Sequence, residues 1–233
     1  IFNDMAADAT NNASTANTTV AISGDFGTIM GGRFETQLNA YFEPFADVAG
    51  THAHSIELDH GDNGREDGAG FQYTSPSFNG LTVVLAAQQA DDDASGAAST
   101  TDNDITDITV KYSNGPLTVA AGQYQYDDAT NDMEVTHIAA SYKMGDLTVK
   151  LLNNDTKNDN GTTTDTESTV LGVAYAMGQN TIAASVKDSD GTEDGDSLLT
   201  LTHNFSKSTK AYISFFNDDD GNDSTLIGLN KKF

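Results

Sequence analysis

The sequence contains no cysteine, only three prolines and few basic residues. The absence of cysteine excludes a disulfide framework, a thiolate metal site and a cysteine nucleophile. The 35 Asp and Glu residues outnumber the 11 Lys and Arg residues, and the formal net charge of -24 disfavours binding to nucleic acid phosphates. No run reaches the roughly 18 apolar residues that a membrane-spanning helix needs. The charge therefore argues against a nucleic-acid-binding protein, and the short apolar runs exclude a helical membrane protein.

Polar and apolar residues instead alternate in segments of about ten, which is the period of a strand with one apolar face. Among residues 105–112, for example, Ile108 and Val110 fall on one face while Asp107, Thr109 and Lys111 fall on the other. The same alternation is clear near 147–151, 171–176 and 181–187. The pattern predicts an all-β protein with thirteen strands and no helix.

Short and long connectors take turns along the chain. The short ones span 24–26, 76–79, 114–116, 144–146, 178–180 and 206–208. The long ones, rich in Asp, Asn, Gly and Thr, lie near 35–66, 90–104, 128–132, 154–166, 188–196 and 217–223. Short periplasmic turns and long extracellular loops are typical of outer-membrane barrels. We therefore predict a transmembrane antiparallel β-barrel, with residues 1–233 forming one domain.

The number of strands bears on the size of the barrel. Bacterial barrels have an even number of strands and begin and end in the periplasm. The alternation of connectors, in contrast, places residues 1–16 in an extracellular loop. We therefore expect an odd number of further strands in the intact protein, and three would make sixteen.

Several motifs carry a family resemblance. The stretch 24–33 resembles the Gly-Asp-Phe-Gly-Thr turn and strand of general trimeric porins, and 73–81 resembles their Tyr-x-Ser-Pro-x-Phe-x-Gly hairpin. Asn114-Gly115-Pro116-Leu117 and Phe205-Ser206-Lys207-Ser208-Thr209 are similar to later hairpins, and the chain ends on the aromatic residue Phe233, as outer-membrane proteins of this kind do. The resemblance covers residues 17–233 and implies a sixteen-stranded porin of the bacterial outer membrane.

The resemblance implies a water-filled channel narrowed by a loop that folds into the barrel, here residues 34–66. The acids expected at the constriction are Glu43, Asp47, Glu57, Asp59 and Asp62. The basic residues expected on the pore wall are Arg33, Arg65, Lys111, Lys143, Lys150 and Lys187. Since acids dominate, we expect a cation preference.

The resemblance also implies the partners of the chain. These are two further copies in a homotrimer, outer-membrane lipid and lipopolysaccharide, small hydrophilic solutes, and the barrel-assembly machinery, with Phe233 as the assembly signal.

Two groups of residues could hold metal ions. The Asp-rich connectors 188–196 and 218–223 partly resemble calcium loops but lack the acid at position twelve and the flanking helices of an EF-hand. We expect at most weak Ca²⁺ or Mg²⁺ binding there, bridging to lipopolysaccharide phosphates, and no other cofactor. His52, His54, Asp59 and His60 match no closed zinc ligand set.

Two alternatives to a porin stay open. One is a secreted calcium-binding surface or adhesion protein made of β-sandwiches, and the other is a soluble acidic β-domain. A nucleotide loop, a nucleophile elbow and a metalloprotease helix are all absent from the sequence, so we predict that the protein is not an enzyme.

Overall fold

The alternating segments form thirteen strands that pair antiparallel with their sequence neighbours in one sheet, in the order β1 to β13. The computed structural model describes residues 18–49, 67–90, 104–127, 132–159, 165–191, 194–217, 221 and 223–232. The strands are β1 Thr18–Gly24, β2 Gly27–Glu35, β3 Asp67–Thr74, β4 Leu81–Ala90, β5 Asp104–Asn114, β6 Leu117–Asp127, β7 Met133–Met144, β8 Leu147–Asn158, β9 Thr166–Met177, β10 Asn180–Ser189, β11 Ser197–Ser206, β12 Thr209–Asn217 and β13 Ser224–Lys231. The prediction of an all-β protein with thirteen strands is confirmed.

Three of the short connectors are two-residue turns whose first residue is glycine with a positive φ. The φ angles are 57° at Gly115, 61° at Gly145 and 62° at Gly178. Turns of this kind match the twist of a hairpin, and a glycine adopts the left-handed conformation at no steric cost. Each glycine therefore fixes the register of the hairpin around it, such as Asn114 opposite Leu117.

The sheet has two chemically distinct faces, as the alternation predicts. We call the face covered by residues 36–48 the inner face and the opposite one the outer face. The outer face carries large exposed apolar side chains, among them Leu85, Ile108, Val110, Ile138, Leu151, Leu171, Val173, Ile182, Leu199, Leu201 and Phe215. Asp107 and Thr109 lie on the inner face and are buried.

The covering residues, 36–48, form what we call the inward segment. It contains a π-helical turn, Leu38–Phe42, followed by the single-turn helix α1, Glu43–Ala46. The expectation of no helix was therefore wrong here, because one turn is too short to show a helical period. The segment begins two residues later than the predicted residue 34, because Phe34 and Glu35 still pair with β3.

The connector expected at 154–166 is also shorter than predicted, since β8 continues to Asn158. Side-chain hydrogen bonds across β8 and β9 hold this polar extension together. Asn153 Nδ2 donates to Glu167 Oε1 at 3.1 Å and to Thr169 Oγ1 at 3.0 Å. Within the described ranges, no helix is long and apolar enough to cross a membrane.

Candidate functional site: the inward segment and its wall

The inward segment is held first by an apolar contact with the inner face. Leu38, Phe42, Phe45 and Ala46 form one cluster with wall residues Ala120, Ala139, Leu152, Val170 and Leu198. Of these wall residues, the first four lie side by side on β6 to β9, each directly opposite the next in the ladder. Without the segment this apolar stripe would be exposed to the water of the lumen. Its burial under the segment therefore favours the docked position.

Two glycines let the segment approach the wall closely. A Cβ on Gly122 would lie 2.9 Å from the Phe42 ring, and a Cβ on Gly172 would lie 2.9 Å from Val48 Cβ. Both distances are shorter than any van der Waals contact between carbons. Larger residues at these two positions would therefore push the segment away from β6 and β9.

The beginning of the segment is fixed by polar contacts with β5. The Gln37 backbone N–H donates to Asp107 Oδ2 at 2.8 Å, and Thr109 Oγ1 donates to Asp107 Oδ1 at 3.1 Å. Lys111 Nζ donates to Gln37 Oε1 at 2.8 Å and lies 3.6 Å from the centre of the Tyr41 ring. One strand thus supplies a buried carboxylate and an ammonium group to the point where the chain turns onto the inner face.

The end of the segment is fixed by β8. Lys150 Nζ donates to the backbone carbonyl of Pro44 at 2.6 Å and to that of Asp47 at 3.3 Å. These carbonyls belong to α1 and to the residue that ends it, where carbonyl groups lack partners within the helix. An ammonium group there also interacts favourably with the negative end of the helix.

A buried histidine lies beneath the segment. The rings of His137 and Phe42 are 4.8 Å apart between centres. His137 Nδ1 is hydrogen-bonded to Asn154 Oδ1 at 2.6 Å, and Asn154 Nδ2 donates to Thr156 Oγ1 at 3.2 Å. This chain of polar groups runs along the inner face of β7 and β8 next to the apolar stripe.

The predicted acids fall into two sets. Glu43 is half-buried on α1, and Asp47 is only 3 % exposed. Glu57, Asp59 and Asp62 lie outside the described residues, as do Arg65, the four residues considered for zinc, residues 1–16 and Phe233. Of the two acids in view, Glu43 is the better placed to meet a solute.

The predicted basic residues have unequal positions. Lys111 and Lys150 contact the segment, Lys187 is 3 % exposed on β10, and Lys143 is exposed near the turn after β7. Arg33 on β2 lies opposite Thr18 and Ala69 in the ladder. It falls on the same side of its strand as Ile29, which is exposed. The parts that Arg33, Lys143 and Lys187 play in a pore wall stay predictions.

The apolar stripe was missed by sequence reasoning, although a signal for it exists. Alternation fails at several pairs of consecutive apolar residues, among them 139–140, 151–152, 170–171 and 198–199. In these four pairs one member faces outward and the other belongs to the cluster under the segment. A strand that is apolar on both faces is typical of burial on both sides.

Carboxylates of the acidic connector between β10 and β11 accept hydrogen bonds from backbone N–H groups. Asp190 Oδ1 accepts from the Glu167 backbone N–H at 2.6 Å, and Asp194 Oδ1 accepts from that of Ser189 at 3.1 Å. The first bond ties the connector between β10 and β11 to β9, and the second ties it to the end of β10. Weak divalent-cation binding at these connectors stays a prediction.

Comparison with known proteins identifies the class. The family profile of Gram-negative porins matches residues 2–223, so the chain belongs to the Gram-negative porin family. No curated protein sequence matches the chain.

Solved structures agree on the fold. The anion-selective porin from Comamonas acidovorans superposes with a TM-score of 0.68 at 23% identity, covering 91% of this chain and 72% of that one. A loop-deletion variant of OmpT, an outer-membrane protein of Vibrio cholerae, gives 0.70 at 13% identity, covering 91% and 78%. A porin variant of Rh. blastica gives 0.67 at 22% identity, covering 92% and 76%.

The family settles the broad function. The chain is an outer-membrane β-barrel channel protein and not an enzyme, which confirms the predictions of fold class, location and absence of catalysis. Family membership also favours the channel over the two alternatives considered from the sequence.

Proposed function

We propose that the chain forms a water-filled, cation-preferring channel for passive diffusion of small hydrophilic solutes and ions, as part of a homotrimer. The observation that carries the proposal is the inward segment, which lies on the inner face and holds Glu43 half-exposed. A pore selects ions by the charges at its narrowest part. A carboxylate on the segment therefore favours cations there.

The excess of carboxylates in the chain supports the same preference. Lys111 and Lys150 keep their positive charge against the segment, at 2.8 Å from Gln37 Oε1 and 2.6 Å from the Pro44 carbonyl, so the carboxylates have to outweigh them. The formal net charge of -24 adds a negative potential around the mouth of the pore. The anion-selective porin among the structural neighbours has the same fold at 23% identity, so the sign of selectivity depends on individual side chains.

Planar-bilayer recording of the full-length protein under a salt gradient tests the proposal. We expect open channels with a reversal potential of the sign set by cations, and a smaller value in Glu43→Gln. The Asp47→Asn variant should shift it less, because that side chain is buried. Glu134→Gln, the same change on the outer face, is the matched control and should leave it unchanged. An anion-selective reversal potential in the unmodified protein would contradict the proposal.

A further inference from the structure

We infer that Lys111 and Lys150 position the inward segment, in addition to any charge they contribute to the pore wall. The inference rests on the proposed channel function, because it assigns the way in which the constriction is held in place. It distinguishes these two lysines from Lys143, which sequence analysis placed in the same group.

The two lysines hold opposite ends of one short segment. Lys111 contacts Gln37 and Tyr41 at its beginning, while Lys150 contacts Pro44 and Asp47 at its end. They come from β5 and β8, on either side of the strands that carry Ala120 and Ala139 of the apolar stripe. The apolar contact favours docking but is not directional, whereas two fixed hydrogen-bonding points define where the segment lies along the wall.

The chemistry of the contacts suits lysine. An ammonium group has three donors on a long flexible stem, so it reaches carbonyls that the segment itself leaves without helical partners. Lys150 donates to two backbone carbonyls, while Lys111 donates to a side-chain amide and lies over the face of an aromatic ring. Hydrogen bonds to a charged donor are stronger than neutral ones.

The position of the segment can be read without measuring current. The chain has no cysteine, and Ala46 on the segment is 0 % exposed, so Ala46→Cys is a single buried thiol. Its reaction with a charged methanethiosulfonate reagent measures how often the segment leaves the wall. We expect slow labelling in the otherwise unchanged protein.

Variants at the lysines test the inference in this background. Lys150→Met and Lys111→Met should each speed labelling by about tenfold to a hundredfold, the factor that corresponds to losing a hydrogen bond from a charged group. Lys150→Arg keeps the charge and the donors and should stay slow. Lys143→Met removes the same charge from an exposed place on the inner face and should also stay slow. Circular dichroism checks that strand content is preserved, and if Lys150→Met does not fold, Lys111→Met carries the test.

The results separate this inference from the proposed function. Unchanged labelling in both methionine variants would overturn it, and a reversal potential shifted toward stronger cation preference would then make the lysines wall charges alone. Fast labelling in Lys150→Arg would also overturn it. A protein that forms no channels in a bilayer contradicts the proposed function, while the labelling rates still report on the segment.

Discussion

The inner faces of β6 to β9 and of β13 belong to the same antiparallel ladder, yet they are buried to different degrees. Ala120, Ala139, Leu152 and Val170 on the first are at most 4 % exposed. On β13 no residue among those described is buried, and the residues of its inner row are half-buried. Two features account for the difference: the inward segment covers the first wall, and β13 is the last strand of the described ladder and pairs with β12 alone.

The comparison shows that strand pairing and burial are separate layers of this fold. Backbone hydrogen bonds form the ladder everywhere and need only alternation and turns. Burial on the inner face needs a second element that is distant in sequence, such as Phe42 against His137. The covered wall therefore depends on contacts that can be removed without removing the ladder.

The largest effect is expected from Phe42→Ala, which removes the side chain at the centre of the covered wall. Replacing a buried Phe by Ala costs about 3 kcal/mol or more, through lost burial and the cavity left behind. The free energy of unfolding in detergent, measured by denaturant titration, should fall by about that amount. Phe215→Ala on the outer face, where the side chain is 42 % exposed, is the control and should cost less than half as much. Equal losses in both variants would mean that the segment adds no burial.

Much of the first layer could be predicted from the sequence. The period of two and turns such as the one at Gly145 are local signals, and they gave thirteen strands. The second layer could not be predicted, because nothing local to Lys111 or Lys150 shows that a segment about 70 or 100 residues earlier in the chain supplies their acceptors. The family resemblance implied that residues 34–66 fold into the barrel, but it did not say which wall residues they contact. Apolar pairs such as Leu151 and Leu152 were the local sign of a covered wall.

A smaller effect is expected from Gly172→Ala, which tests how closely the segment approaches the wall. In an open strand position this change is usually mildly stabilising, because alanine restricts the unfolded chain. Here the new Cβ would lie 2.9 Å from Val48 Cβ, so we expect a loss of about 1–3 kcal/mol in the same titration. The double variant Gly172→Ala with Val48→Gly removes the clash and should lose less than the sum of the losses in the two single variants. Additive losses in the double variant would show that the two residues do not meet.

The smallest effect is expected in a comparison of two histidine–asparagine pairs, one buried under the segment and one exposed. His137 Nδ1 and Asn154 Oδ1 are 2.6 Å apart in a buried pair under the segment, and His203 Nδ1 and Asn180 Oδ1 are 2.8 Å apart in an exposed one. Removing a partner from a buried polar group costs about 1–2 kcal/mol, whereas water replaces the partner at an exposed site.

Asn154→Ala should therefore lower the free energy of unfolding by about 1–2 kcal/mol, and Asn180→Ala by less than about 0.5 kcal/mol. Both variants remove an amide paired with a histidine, and Asn154→Ala also removes the donor to Thr156 Oγ1, so the difference between them measures the buried polar network under the segment. A combined Phe42→Ala and Asn154→Ala variant sharpens the comparison. Once the Phe42 ring is gone and water reaches His137, the cost of losing Asn154 should approach that of losing Asn180. If it stays at the buried value, the strands themselves exclude water from His137 and the segment is not its cover.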